Sequence, residues 1–246
     1  MGTERSRLSA PAFYALSGGG WRDLVTLLHP PYTAWHLSYV ALGAVAATTL
    51  DGGRLLATLA AFFLAVGISA HALDELRGRP LQTTLPRGTL IALAVVGLAG
   101  AVGIGVAGAI TISPLLAPLV VLGALLVLAY NLELAGGRFH SDLWFALAWG
   151  GFPAFTGYFA QTLTIRPAGV LVAAGCCLLS AAQRRLSTPV RELRRRTTAV
   201  SGEQRFSDGT ATELTKARLA APLEGALSAL SIAVVLLAAG LVAVKL

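Results

Sequence analysis

The chain has 246 residues, of which 55% are hydrophobic and only 13% charged. A soluble domain carries about 25% charged residues, so this composition, with a mean hydropathy of +0.71, excludes a soluble globular enzyme, a disordered chain and a free nucleic-acid-binding domain. The net charge of +7 lies between hydrophobic blocks of roughly 17 to 25 residues, the length that spans a bilayer as a helix, and there it sets orientation.

Residues 1–31 are polar and Gly-rich, with no apolar core, and read as a cytoplasmic N-terminal segment without a cleavable signal. Residues 32–246 read as a single membrane domain with seven predicted spans: 32–50, 54–72, 89–112, 114–132, 143–161, 166–182 and 221–244. Strand alternation is absent, so an all-α polytopic bundle is the expected fold. Gly103, Gly105 and Gly108 give the third span a small-residue face for close helix approach. Ser113 before Pro114 forms the expected N-cap of the fourth span. Cys176 and Cys177 are adjacent inside an apolar run and read as packing residues. Residues 183–220 form a basic cytoplasmic connection, in which Thr188 and Pro189 predict the start of a short surface helix over 189–200.

Sixteen of the nineteen Lys and Arg residues fall in the N-terminal tail and the connections after the second, fourth and sixth spans. By the positive-inside rule these face the cytoplasm, which places the C-terminus outside a plasma (inner) membrane. The same three connections carry most of the polar chemistry: His71, Asp74, Glu75, Arg77 and Arg79; then Tyr130, Asn131, Glu133, Arg138, His140 and Asp142; then Gln183, Arg184, Arg185 and the Arg-rich stretch. Ionisable groups at that depth are expensive and commonly functional, so a cytoplasm-facing polar cavity is expected. His36 and His71 form an unpatterned pair that says little about haem. Neither Lys216 nor Lys245 lies where a Schiff-base lysine would.

The layout resembles the UbiA superfamily of intramembrane prenyltransferases. The resemblance rests on Leu28-His29-Pro30-Pro31-Tyr32-Thr33 at the first span and on Arg79-Pro80-Leu81 followed by Leu85-Pro86-Arg87-Gly88 before the third. It rests also on Trp149-Gly150-Gly151-Phe152-Pro153 with Gly157-Tyr158 and Gln161-Thr162 in the fifth. This last segment is closest to the menaquinone-type branch. Aligned on Asp74, the family's first aspartate motif reads Ala70, His71, Asp74 and Gly78. The second is replaced by Arg- and Ser-rich sequence with Glu192 as its carboxylate.

The resemblance implies transfer of an isoprenoid or related lipid group from a (di)phosphate donor. Asp74 and Glu75 would be the catalytic carboxylates holding Mg²⁺, and Asn131, with Tyr130 beside it, would lie near the phosphate. Arginine is a bidentate partner for phosphate, so Arg138, Arg184, Arg185 and Arg191 are the candidate phosphate-binding cations. The alternative is a relative without catalysis that binds lipid or a partner protein through the same cavity. A transporter is a third class, without its usual inverted repeat. The chain is shorter than the family pattern, which leaves room for a partner membrane protein or a homo-oligomer. No nucleic-acid partner is expected.

Overall fold

The computed structural model describes residues 10–16 and 18–246. A short helix α1 (Trp21–Leu27) precedes α2 (Pro30–Val45). Three long helices follow: α3 (Gly52–Leu76), α4 (Arg87–Thr111) and α5 (Pro114–Asn131). Next come α6 (Asp142–Ala146), a π-helical stretch Leu147–Gly151 and α7 (Phe152–Thr162), which run on without a break. Two further long helices are α8 (Pro167–Arg195) and α9 (Lys216–Lys245), joined through a small hairpin of β1 (Glu203–Arg205) and β2 (Ala211–Glu213). Side-chain caps fix several starts: Asp51 accepts from Arg54 N, Ser113 from Leu115 N, Ser141 from Trp144 N and Thr215 from Arg218 N.

Each predicted span has a helical counterpart, but among the described residues only α3, α4, α5, α8 and α9 are long and apolar enough to cross a membrane by length and composition. Their outer faces leave Val95, Val96, Ile110, Leu171, Leu178, Leu236 and Leu237 exposed. Large apolar side chains on the outside suit contact with lipid, so the chain is a helical membrane protein.

The remaining two rods form the centre. α2 has only 16 residues, yet Trp35, Tyr39 and Val40 are fully buried, and α7 and α9 pack on it. The crossing of α2 and α7 is close: a Cβ on Gly43 would lie 1.8 Å from the Ala154 carbonyl oxygen, and one on Gly157 would lie 2.1 Å from that of Val40. Small residues permit such backbone approach, as in membrane bundles generally. In α4, Gly105 abuts Val120 of α5 at 2.5 Å from a built Cβ, whereas Gly103 faces open space.

Two boundaries differ from expectation. The predicted sixth span ends at 182, but α8 continues to Arg195 through Pro189. Gln183, Ser187 and Val190 stay buried on both sides of that proline, and this packing outweighs the single backbone hydrogen bond that proline removes. A 29-residue helix is about 44 Å long and exceeds a hydrocarbon core of about 30 Å. Its last turns therefore wall the polar end of the bundle, and the true connection is 196–215. The last helix likewise starts at Lys216 rather than 221, with Pro222 in its second turn and Thr215 as cap.

Candidate anion-binding cavity

The polar connections meet at one end of the bundle. Arg77 pairs with Glu133 at 2.9 Å, Arg184 with Asp142 at 2.9 Å, and Asp23 accepts from Thr84 N at 2.8 Å. The opposite end is tied separately, by Asp51 with Gln161 and by Lys245 with Ala47 and Thr48. At the polar end a cavity of about 420 Å³ lies between α2, α3, α5, α6 and α8.

Two π-helical stretches shape it. The stretch Phe63–Ala70 within α3 brings Val66 and Ala70 to the wall, and Leu147–Gly151 brings Trp149. Such insertions are rare and cluster at functional sites. A carbonyl in each stretch holds an imidazole: Trp149 O lies 2.7 Å from His36 Nδ1, and Gly67 O lies 3.1 Å from His71 Nδ1. A carbonyl only accepts, so Nδ1 carries the proton in both rings and each neutral ring keeps Nε2 as an acceptor.

The predicted site residues separate into two groups. Asp74, Tyr130, Asn131, Arg184 and Arg191 line the cavity together. Arg138 and Arg185 are exposed and lie outside it. Glu75 is fully buried beside the cavity, and its oxygens accept from Leu81 N at 3.0 Å, Thr83 N at 2.9 Å and Thr83 Oγ1 at 2.9 Å. It therefore pins the 77–86 turn. The Asp74 carboxylate, one residue earlier, makes no hydrogen bond or ion pair with any described residue.

Arg184 sits 5.1 Å over the Phe145 ring, and Arg191 Nη2 donates to Thr188 Oγ1 at 3.0 Å. Arg195 also lines the cavity; its Nε donates to Pro11 O at 3.1 Å. This last contact belongs to a strap, residues 10–16, that crosses the mouth. Arg194 donates to Ala10 O at 3.2 Å and forms a two-point pair with Glu224 of α9, at 2.5 and 2.9 Å. Tyr14 OH lies 2.5 Å from His29 Nδ1, and His29 stacks on His71 with centroids 4.2 Å apart. Burial and then the neighbouring Tyr32 hold the Tyr14 hydroxyl well above its usual range. Burial, followed by His71, Arg195, Arg191 and His36, holds His29 well below its ordinary 6.5. His29 is open to the cavity but shielded from bulk water by the strap. The Tyr14 hydroxyl thus keeps its proton and donates to a neutral imidazole.

Sequence reasoning assigns no binding role to Tyr14, His29, Gln183 or Arg195, although Gln183 and the Arg-rich stretch stand among its polar groups and His29 in the motif of the first span. Their one signal is spacing: Gln183, Ser187, Arg191 and Arg195 recur every four residues, one face of a helix, which becomes visible only once Pro189 is known to lie inside that helix. A second, apolar pocket of about 140 Å³ lies among α3, α4, α5 and α7, and Val66 and Trp149 line both spaces. The wall between a charged compartment and an apolar one is therefore a single layer of side chains.

Aspartate-held Mg²⁺ at a diphosphate needs several carboxylate oxygens. Of the two expected ligands only Asp74 reaches the cavity, and no group of three or more His, Cys, Asp or Glu side chains among the described residues is placed to hold a metal ion. The residues present do not fit paired ions. No protein-family model, curated protein or solved structure matches the chain.

Proposed function

We propose that the cavity binds the phosphate head of a membrane lipid, with isoprenoid (di)phosphates in the class. The observation that carries this reading is the convergence of Arg184, Arg191 and Arg195 on a space that shares Trp149 with an apolar pocket. Guanidinium groups grip phosphate oxygens in a fork geometry. The cations gather the head at the polar end, and the apolar pocket beyond Trp149 receives part of the tail. The resemblance to UbiA prenyltransferases supports the same placement of head and tail, in a bundle with five helices long and apolar enough to cross a membrane among the described residues.

The test uses the purified full chain in nanodiscs with labelled farnesyl and geranylgeranyl diphosphate, following retention of label and release of pyrophosphate with and without Mg²⁺. Retention without release, weakened about tenfold or more by Arg191→Gln, is the expected result, since a charge-assisted hydrogen bond contributes roughly 1.5–3 kcal/mol. Loss of retention in the wild type would sink the reading. A second reading, a working prenyltransferase, is favoured by one feature: the carboxylate of Asp74 lies in the cavity without a partner among the described residues. Mg²⁺-dependent pyrophosphate release abolished by Asp74→Ala would establish it.

A further inference from the structure

The cations account for one end of the cavity and leave its deeper polar groups unused. Tyr130 OH and Gln183 Oε1 are buried atoms with no hydrogen-bond partner among the described residues. Both side chains line the cavity, and the two residues are 6% and 2% exposed. Buried polar atoms are nearly always satisfied, and each orphan costs of the order of 1–3 kcal/mol. Two orphan atoms on residues that line one cavity point to a ligand that completes them once it is seated there.

Their chemistry restricts that ligand. Gln183 Oε1 is an acceptor, and it has acceptor company. Asn131 donates one amide N–H to Val127 O at 2.8 Å, which leaves its second N–H and Oδ1. His36 spends Nδ1 on Trp149 O, which leaves Nε2. A phosphate oxygen is itself an acceptor and cannot satisfy these acceptor atoms; an O–H or N–H can. The order along α8 is equally restrictive. Gln183, Ser187, Arg191 and Arg195 form one face, rising about 6 Å per step, from a neutral acceptor at depth to cations at the mouth.

We propose that the cavity selects a phosphate ester that carries a hydroxyl on the inward side of its phosphorus, read by Gln183 and Tyr130 while Arg191 and Arg195 hold the phosphate. A glycerol-phosphate head with a free hydroxyl has this order, whether it is free in water or attached to a single acyl chain. The inference rests on the anion-binding reading above and narrows it from phosphate lipids in general to hydroxylated ones. Gln183 and Tyr130 are specificity-determining residues, placed to read the hydroxyl at the inner end of the cavity.

The experiment compares affinities of the full chain in nanodiscs for matched pairs. Oleoyl lysophosphatidic acid is set against oleyl phosphate, which lacks the hydroxyl, and glycerol 3-phosphate against inorganic phosphate. The hydroxylated member of at least one pair is expected to bind about tenfold tighter, the worth of one hydrogen bond to an otherwise unsatisfied group. Preference in the first pair identifies a lipid source, and preference confined to the second a free one. Gln183→Leu should erase the difference between the members of a pair, with Tyr130→Phe reducing it in part. Arg191→Gln should weaken both members of a pair equally. Equal affinities within both pairs in the wild type, or a preference that survives Gln183→Leu, overturn the inference but leave the phosphate reading standing. No binding of any of the four compounds, together with no retention of the prenyl diphosphates, would remove both.

Discussion

Adjacent carboxylates at the end of α3 have opposite duties. Glu75 satisfies three donors of the 77–86 turn, and Asp74 satisfies none among the described residues. Glu75→Ala is therefore expected to lower stability by about 3 kcal/mol, because it strands buried N–H and O–H groups. Glu75→Gln should not rescue it, since its amide nitrogen would face a backbone donor; thermal unfolding of both variants checks this. Asp74→Asn removes a negative charge near Arg191 and Arg195, so it should leave the melting temperature nearly unchanged and tighten phosphate binding severalfold. Weaker binding would instead mark Asp74 as a ligand for a cation. The sequence named Asp74 and Glu75 as one pair because both types suit metal chemistry. Which of them had been claimed by a turn was invisible, since the claim is made by backbone N–H groups that carry no sequence signal. His29 adds a pH response. Its folded pKa lies well below 6.5, so the unfolded or open form binds more protons, and the Tyr14–His29 contact contributes fully above that value and is lost as pH falls below it. Hydrogen exchange of residues 10–16 should accelerate between about pH 7.5 and 5.5, relative to the intrinsic rate. A pH-independent protection factor would refute the assignment.

Among the elements, the crossing of α2 with α7 and the docking of α8 on α9 support the cavity from behind. Gly157→Ala would set a methyl group 2.1 Å from a backbone oxygen, so the two helices must separate. A loss of roughly 3 kcal/mol or more is expected from such a backbone clash, read as a lower unfolding temperature in nanodiscs; an unchanged temperature would mean that the two helices pack less closely. Glu224→Gln breaks a largely buried pair with Arg194, whose side chain is 4% exposed. The expected cost is about 1.5–3 kcal/mol, the worth of the charge-assisted bond that is lost, while Arg194 keeps its bond to Ala10 O. Helix positions were legible in the apolar blocks to within a few residues, with two exceptions that share a cause. Pro189 reads as a helix start and the last span is expected from 221, yet Pro189 and Pro222 both lie inside longer helices. Proline's local preference is worth one lost hydrogen bond, and the burial of Gln183, Ser187 and Val190 is a tertiary fact that no local window contains.

At the scale of the molecule, the charges that sorted onto two sides in the sequence do gather at two separate ends of the bundle. The cationic end carries Arg77, Arg184, Arg191, Arg194 and Arg195, and the other carries Arg54 and Lys245. If the cationic end faces the cytoplasm, a single cysteine at Asp208, in a background with Cys176 and Cys177 replaced by alanine, will react with an impermeant maleimide only from inverted vesicles. One placed at Thr164 will react only from intact cells. Labelling of both from the same side would overturn the alternating arrangement. α2 shows why composition could not fix the number of membrane crossings. It is the most enclosed rod, so its residues are chosen for packing against helices, and small and polar residues such as Thr33, His36 and Ser38 take places that lipid-facing helices give to Leu and Val.

The two π-helical stretches have a consequence for how this chain could change over time. Each holds one residue more than an α-helix would need to cover the same rise, so each is a stored insertion. Deleting a single residue from 63–70 would restore regular α-helix and leave the apolar length almost untouched. Every side chain on one side of the deletion would then turn by about 100°. His71 and Asp74 would swing out of register with the arginines of α8, and nothing in the hydropathy profile would record it. The bundle can thus survive a one-codon loss that dismantles its polar cavity, which makes helical phase, rather than any single side chain, the most fragile possession of this fold.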